Sequence, residues 1–202
     1  MKRLAILIAL VLPVALVPAP AHATPVITIT EYEYTPNPSF QIPFSSIPFS
    51  NTGSLEHTAT QNRPFRLWNT GVIPAGMSDT TDVFADWAGT LPYRCVIHPS
   101  LMRGRIRTPV HTDPGSGTTS DTFDIDLADD PAPNRLKYEA QVRRNDGTWK
   151  DFAFTKAATK VFDPAFIGVY DFRSRVVHVR KDVHTGWSPL NDSYSQVTVD
   201  PV

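Results

Sequence analysis

Cys95 is the only cysteine in this 202-residue chain, and an imidazole and a thioether follow it closely, at His98 and Met102. A second imidazole, His57, stands upstream in Leu55-Glu56-His57-Thr58. Two imidazole nitrogens, a thiolate and a weak axial thioether are the ligand set of an electron-transfer copper centre. Sulfur suits Cu(I) and imidazole accommodates both oxidation states, so one fixed cage serves both. The two-residue gap from Cys95 to His98 lets both side chains turn to a common point at a strand end, and three further residues bring Met102 back over it. Other chemistries use the same residues. A nucleophilic Cys95 activated by His98 needs a third group to orient the base, and no Asn or Asp stands in an obvious relation to the pair. Zinc accepts thiolate and imidazole but gains little from a thioether. Cys95 as an inert core residue or an intermolecular crosslink, and Met102 as core filler, complete the alternatives.

The chain around these residues reads as an exported protein. Lys2 and Arg3 precede an apolar run from Leu4 to Val17, and Ala21-His22-Ala23 offers a cleavage site, which predicts a signal peptide over residues 1–23. The run is short for a bilayer span and is broken by Pro13, so the mature chain is expected to start near Thr24 without a transmembrane anchor, in a secreted or periplasmic setting. Exported proteins usually spend cysteines in disulfide pairs, so an unpaired thiol there calls for protection such as a metal. A net charge of -1 points away from nucleic acid as a partner. Nineteen prolines and the want of helix-period apolar patterns predict an all-β chain of short strands.

Alternation predicts a strand from Val26 to Tyr32, and further strands are expected from Phe65 into a turn at Gly71, from Thr81 to Trp87, from Leu91 to Cys95 and from Arg103 to Val110, with Ile73 to Gly76 as a loop. Residues 111–120, His-Thr-Asp-Pro-Gly-Ser-Gly-Thr-Thr-Ser, have no apolar anchor and read as an interdomain linker. Alternation then restarts at Phe123-Asp124-Ile125-Asp126-Leu127 and again at Tyr138 to Arg143, followed by Asn145-Asp146-Gly147, which suits a tight hairpin turn. Further alternation at Tyr170 to Val176 and a closing strand over Ser195 to Asp200 complete a small antiparallel sandwich over 121–202. Its acidic residues Asp121, Asp124, Asp126, Asp129 and Asp130 read as a solvated face rather than a calcium site.

Phe65, Pro74-Ala75-Gly76, Phe84, Gly89, Tyr93-x-Cys95-x-x-His98-Pro99, Met102 and Gly104-x-Ile106 fall in the order seen in the cupredoxin family, so that residues 26–110 resemble its plastocyanin-, pseudoazurin- and amicyanin-like members and predict a copper-binding domain over 24–110. The resemblance implies a Greek-key β-sandwich holding one mononuclear copper, with His57, Cys95 and His98 as strong ligands, Met102 as the axial one and His98 at the exposed edge. Thr58 stands where many relatives carry an asparagine that braces the ligand loops, and Pro99 has no N–H to offer the sulfur. The run Tyr138 to Arg144, Gly147-Thr148-Trp149, Gly168-x-Tyr170-x-Phe172 and Thr185-Gly186-Trp187-Ser188-Pro189 resembles a fibronectin type III module, an immunoglobulin-like sandwich. Leu127 or Ile125 stands there for the usual second-strand tryptophan, and Tyr170 is implied as the corner tyrosine. Such a module gives a spacer or docking role and no particular ligand. Together these readings predict a one-electron carrier rather than an enzyme, with redox proteins as partners. The alternative is an extracellular copper-binding or copper-delivery protein that does not cycle, docked to a partner by its C-terminal part.

Overall fold

A computed structural model describes residues 24–79 and 83–202, and no helix occurs among them. The predicted signal peptide over 1–23 lies outside these residues. The chain is all-β. Its first strands are Ile27–Ile29 (β1), Tyr34–Thr35 (β2), Ser39–Phe40 (β3), Phe49–Asn51 (β4), His57–Gln61 (β5), Asn69–Ile73 (β6), Gly89–Arg94 (β7) and Arg103–Thr108 (β8). There follow His111–Asp113 (β9), Ser116–Thr118 (β10), Phe123–Asp126 (β11), Leu136–Arg144 (β12), Lys150–Thr155 (β13), Thr159–Phe162 (β14), Gly168–His178 (β15), Val183–His184 (β16) and Gln196–Asp200 (β17).

Two pairs of sheets face each other. In the first, the order β2-β1-β4 packs on β3-β8-β7-β5-β6. Period-two alternation sends Ile27, Ile29, Tyr34 and Phe49 from one side, and Ala59, Ile73, Tyr93 and Ile106 from the other, into one core that also holds Cys95 and Met102. In the second, β14-β11-β9 packs on β10-β17-β15-β12-β13 around Phe123, Ile125, Leu127, Tyr138, Phe172, Val176 and Val197. Ile125 and Leu127 are both fully buried, where the resemblance puts one or the other in place of tryptophan. Tyr170 donates its hydroxyl to the Phe166 carbonyl at 2.7 Å, tying a loop to its own strand as a corner tyrosine does.

Asn145 and Asp146 adopt φ of 48° and 57°, and Gly147 N–H closes the turn on the Arg144 carbonyl at 2.9 Å, as the tight-turn sequence predicts. Beside this turn, guanidinium groups and indoles alternate. Trp149 lies between Arg143 and Arg173 at 5.0 and 4.2 Å, and Trp187 between Arg173 and Arg175 at 4.5 and 4.3 Å.

Three expectations need revision. Over the predicted strand Thr81 to Trp87, residues 81 and 82 are not described, and from 83 on only isolated bridges form, Phe84 with Ser46 and Trp87 with Ala128. The strand read into Phe65 to Gly71 begins only at Asn69 and runs on to Ile73, because Gly71 at φ 71° continues the pairing instead of ending it. Within residues 111–120, read as a linker without apolar anchor, 111–113 form β9 and 116–118 form β10. Polar side chains hide this pairing from a hydrophobicity reading, since β9 docks on β11 and β10 on β17 through main-chain bonds that composition does not report.

The two halves share structure. Ala88, Val110, Phe65, Leu67 and Trp87 pack into the second core. Ala88 N–H reaches Leu127 O at 2.9 Å, and Thr90 exchanges main-chain bonds with Gly186 at 2.8 and 3.1 Å. Thr90 Oγ1 adds a bond to the Trp187 carbonyl at 2.7 Å.

Candidate metal centre

His57 opens β5 and is held in antiparallel register against Ile73. The loop before it is pinned by Asn51, whose Nδ2 donates to the carbonyls of Leu55, Ile73 and Pro74 at 2.8, 3.0 and 3.1 Å. Asn51 is 1% exposed, so this amide spans the loop with no water to replace it. Cys95 follows directly on β7, and its N–H bonds the Met102 carbonyl at 3.3 Å. Between them the chain turns tightly, with the N–H groups of Leu101 and Met102 both on the His98 carbonyl at 3.2 and 3.0 Å. That turn is how a three-residue gap returns Met102 to the core, where it is fully buried.

The three atoms that matter most lie close together. Cys95 Sγ is 3.9 Å from His57 Nδ1 and 3.8 Å from His98 Nδ1, and the two nitrogens are 3.2 Å apart. An ion bound at about 2.0 Å from nitrogen and about 2.3 Å from sulfur in a trigonal plane separates the nitrogens by about 3.5 Å and each from sulfur by about 3.7 Å. The donor atoms therefore already stand at nearly the spacing such an ion requires. Among the described residues, this trio is the group of His, Cys and acidic side chains so gathered. Burial, with the neighbouring His98 adding to it, holds His57 below the ordinary imidazole range, which keeps its ring neutral and a lone pair free for a metal. His57 Nε2 is buried without a hydrogen-bond partner.

The sulfur has a polar neighbour. Thr58 N–H points at Sγ from 3.4 Å, and Thr58 Oγ1 lies 3.9 Å from it. That hydroxyl oxygen also accepts the Val96 N–H at 2.9 Å, so Thr58 ties the His57 strand to the Cys95 loop. A threonine thus makes the brace for which the family resemblance implies an asparagine. His98 is the least buried of the trio, with Tyr32 edge-on to it at 5.4 Å between ring centroids. Tyr32, Val96, Ile97 and Leu101 are 50, 49, 37 and 62% exposed around it.

All four residues singled out in the sequence fall in or beside this site. Sequence reading missed Asn51 and Tyr34, whose roles depend on contacts across 22 and 24 residues. An Asn ending a short strand and a Tyr in a proline-rich stretch carry no local pattern that would reveal them.

No protein-family model matches the chain, and no curated protein does. Among solved structures, it is similar to a mutant of amicyanin in its reduced Cu(I) form, at 17% identity and TM-score 0.38, over 44% of this chain and 84% of that one. An oxidised amicyanin mutant gives 16% identity and TM-score 0.38 over the same shares. A cytokine receptor complex gives 14% identity and TM-score 0.33, over 72% of this chain and 87% of that one. Among the described residues, no helix is long and apolar enough to cross a membrane.

Proposed function

We propose that this chain is a type 1 copper protein that carries single electrons outside the cytoplasm and is not an enzyme. His57, Cys95 and His98 would hold one copper ion, with Met102 as the axial ligand. The observation that carries the reading is the gathering of one thiol sulfur and two imidazole nitrogens within 3.2 to 3.9 Å, on a strand and a loop joined by Thr58. Bound there, copper supplies the one-electron couple. The protein's part is to keep the donors in place between oxidation states, which the buried core under Cys95 and the Asn51 clamp favour. His98, set among exposed apolar side chains, is the natural exit toward a redox partner. The C-terminal sandwich would then serve as the docking part, with the boundary near residue 110. Export after cleavage near Ala23 belongs to the same reading.

Adding Cu(II) to the purified apoprotein tests it. Intense blue absorption from thiolate-to-copper charge transfer is expected in the intact chain and none in Cys95→Ser. An equally blue Cys95→Ser protein would contradict the ligand assignment. Voltammetry separates a carrier from a non-cycling copper-delivery protein, because the latter shows no reversible wave.

A further inference from the structure

Tyr34 is 1% exposed, and its ring meets that of Tyr93 at 4.7 Å between centroids. Its hydroxyl donates to the main-chain carbonyl of Thr58. Thr58 is the residue whose own N–H faces Cys95 Sγ at 3.4 Å and whose Oγ1 takes the Val96 N–H. Strand β2 therefore grips β5 at the residue whose N–H faces the sulfur. The adjacent phenol makes a contrast, for Tyr93 has a buried hydroxyl with no hydrogen-bond partner.

We infer that Tyr34 is a positioning residue for the copper site: its hydroxyl fixes Thr58 so that the Thr58 N–H stays aimed at the Cys95 sulfur, and that bond sets the potential of the bound copper. The inference rests on the copper reading above. A donor at the thiolate withdraws electron density from sulfur and weakens its bond to Cu(II) more than to Cu(I), which raises the reduction potential. Among the described residues, Thr58 N–H is the main-chain donor paired with Sγ, so slack in Thr58 reaches the sulfur directly.

The test uses the full-length chain loaded with Cu(II), comparing the unaltered protein, Tyr34→Phe and Tyr93→Phe by voltammetry and by the thiolate-to-copper absorption band. Tyr34→Phe is expected to bind copper, to shift the midpoint potential negative and to move the band. Tyr93→Phe should leave both where they are, since it deletes a hydroxyl that bonds nothing. A tyrosine that served only folding would lower the melting temperature of the apoprotein and leave potential and band unchanged, and that result overturns the inference. Should Tyr34→Phe fail to fold, 3-fluorotyrosine placed at position 34 keeps the ring and strengthens the donor. A positive shift then supports the inference, and an unchanged potential overturns it. An unaltered chain that takes up no copper overturns the copper reading and this inference together, whereas a blue chain indifferent to Tyr34→Phe overturns the inference alone.

Discussion

Gly104 shows how tightly single residues near the site are fitted. A Cβ there would stand 2.2 Å from Tyr93 Cζ and 2.5 Å from its hydroxyl oxygen, and the backbone on both strands is paired, so neither side can withdraw. Gly104→Ala should destabilise the fold by about 2–3 kcal/mol through overpacking, read as a lowered denaturant midpoint. Asn51→Ala removes the Nδ2 donor shared by the carbonyls of Leu55, Ile73 and Pro74, the Ile73 bond being fully buried. A loss of about 2–4 kcal/mol is expected, together with weaker copper uptake, because the loop leading to His57 is freed. At the exposed edge, Leu101→Lys should leave the potential unchanged but slow electron self-exchange about tenfold, since two like charges then meet across the encounter surface. NMR line broadening in mixtures of oxidised and reduced protein measures that rate. At this scale the four proposed ligands were legible from residue type and spacing. Their supports were not, because a side-chain amide bonding a carbonyl 22 residues away leaves no periodic trace.

Strands and the segments joining them carry the pH behaviour. Asp86 lies between the isolated bridges at Phe84 and Trp87, and burial, with Asp129 and Asp130 nearby, pushes its carboxyl from 3.8 up to about 6. A carboxyl raised in the folded state favours folding only while protonated, so its benefit is whole below about pH 3.8 and is lost as pH rises through about 6. Asp86→Asn should therefore stabilise the chain at pH 7 by about 1–2 kcal/mol and have no effect near pH 3.5, as urea titrations at the two values would show. His111, raised by its 3.0 Å bond to Asp126, acts in the same direction, with stability present below 6.5 that is lost on going more alkaline. Period-two alternation made most long strands visible in advance, among them β7, β8, β12 and β15. It failed where pairing is carried by polar or glycine-rich backbone, as in β9 and β10, and where proline-rich sequence forms two-residue strands such as β2 and β3.

Across the whole molecule the joint decides how the parts behave. Five apolar residues from the first half fill the second core, and Thr90 on β7, the strand that leads into Cys95, is paired with Gly186 in both directions. A Cβ on Gly186 would meet Thr90 Cβ at 2.9 Å. The intact chain is expected to unfold in a single calorimetric transition, and Gly186→Val should lower the melting temperature by about 3–6 °C and split the transition in two. One unaltered transition in that variant would mean that the joint adds nothing to cooperativity. Two sandwiches could be read from the sequence because each repeats its own alternation. Their fastening could not, since Ala88, Trp87 and Val110 look like ordinary core residues of the half that carries them.

The four tryptophans are spread unevenly over this architecture. Trp68 touches Tyr93 and Phe49 in the core beneath the site, Trp87 sits in the joint, and Trp149 and Trp187 lie sandwiched between guanidinium groups. Light absorbed by these indoles is therefore re-emitted from three distinct surroundings. A Cu(II) ion held beside Cys95, as proposed, would quench Trp68 ahead of the stacked pair, and the emission colour of the chain would then tell a filled site from an empty one without any added dye.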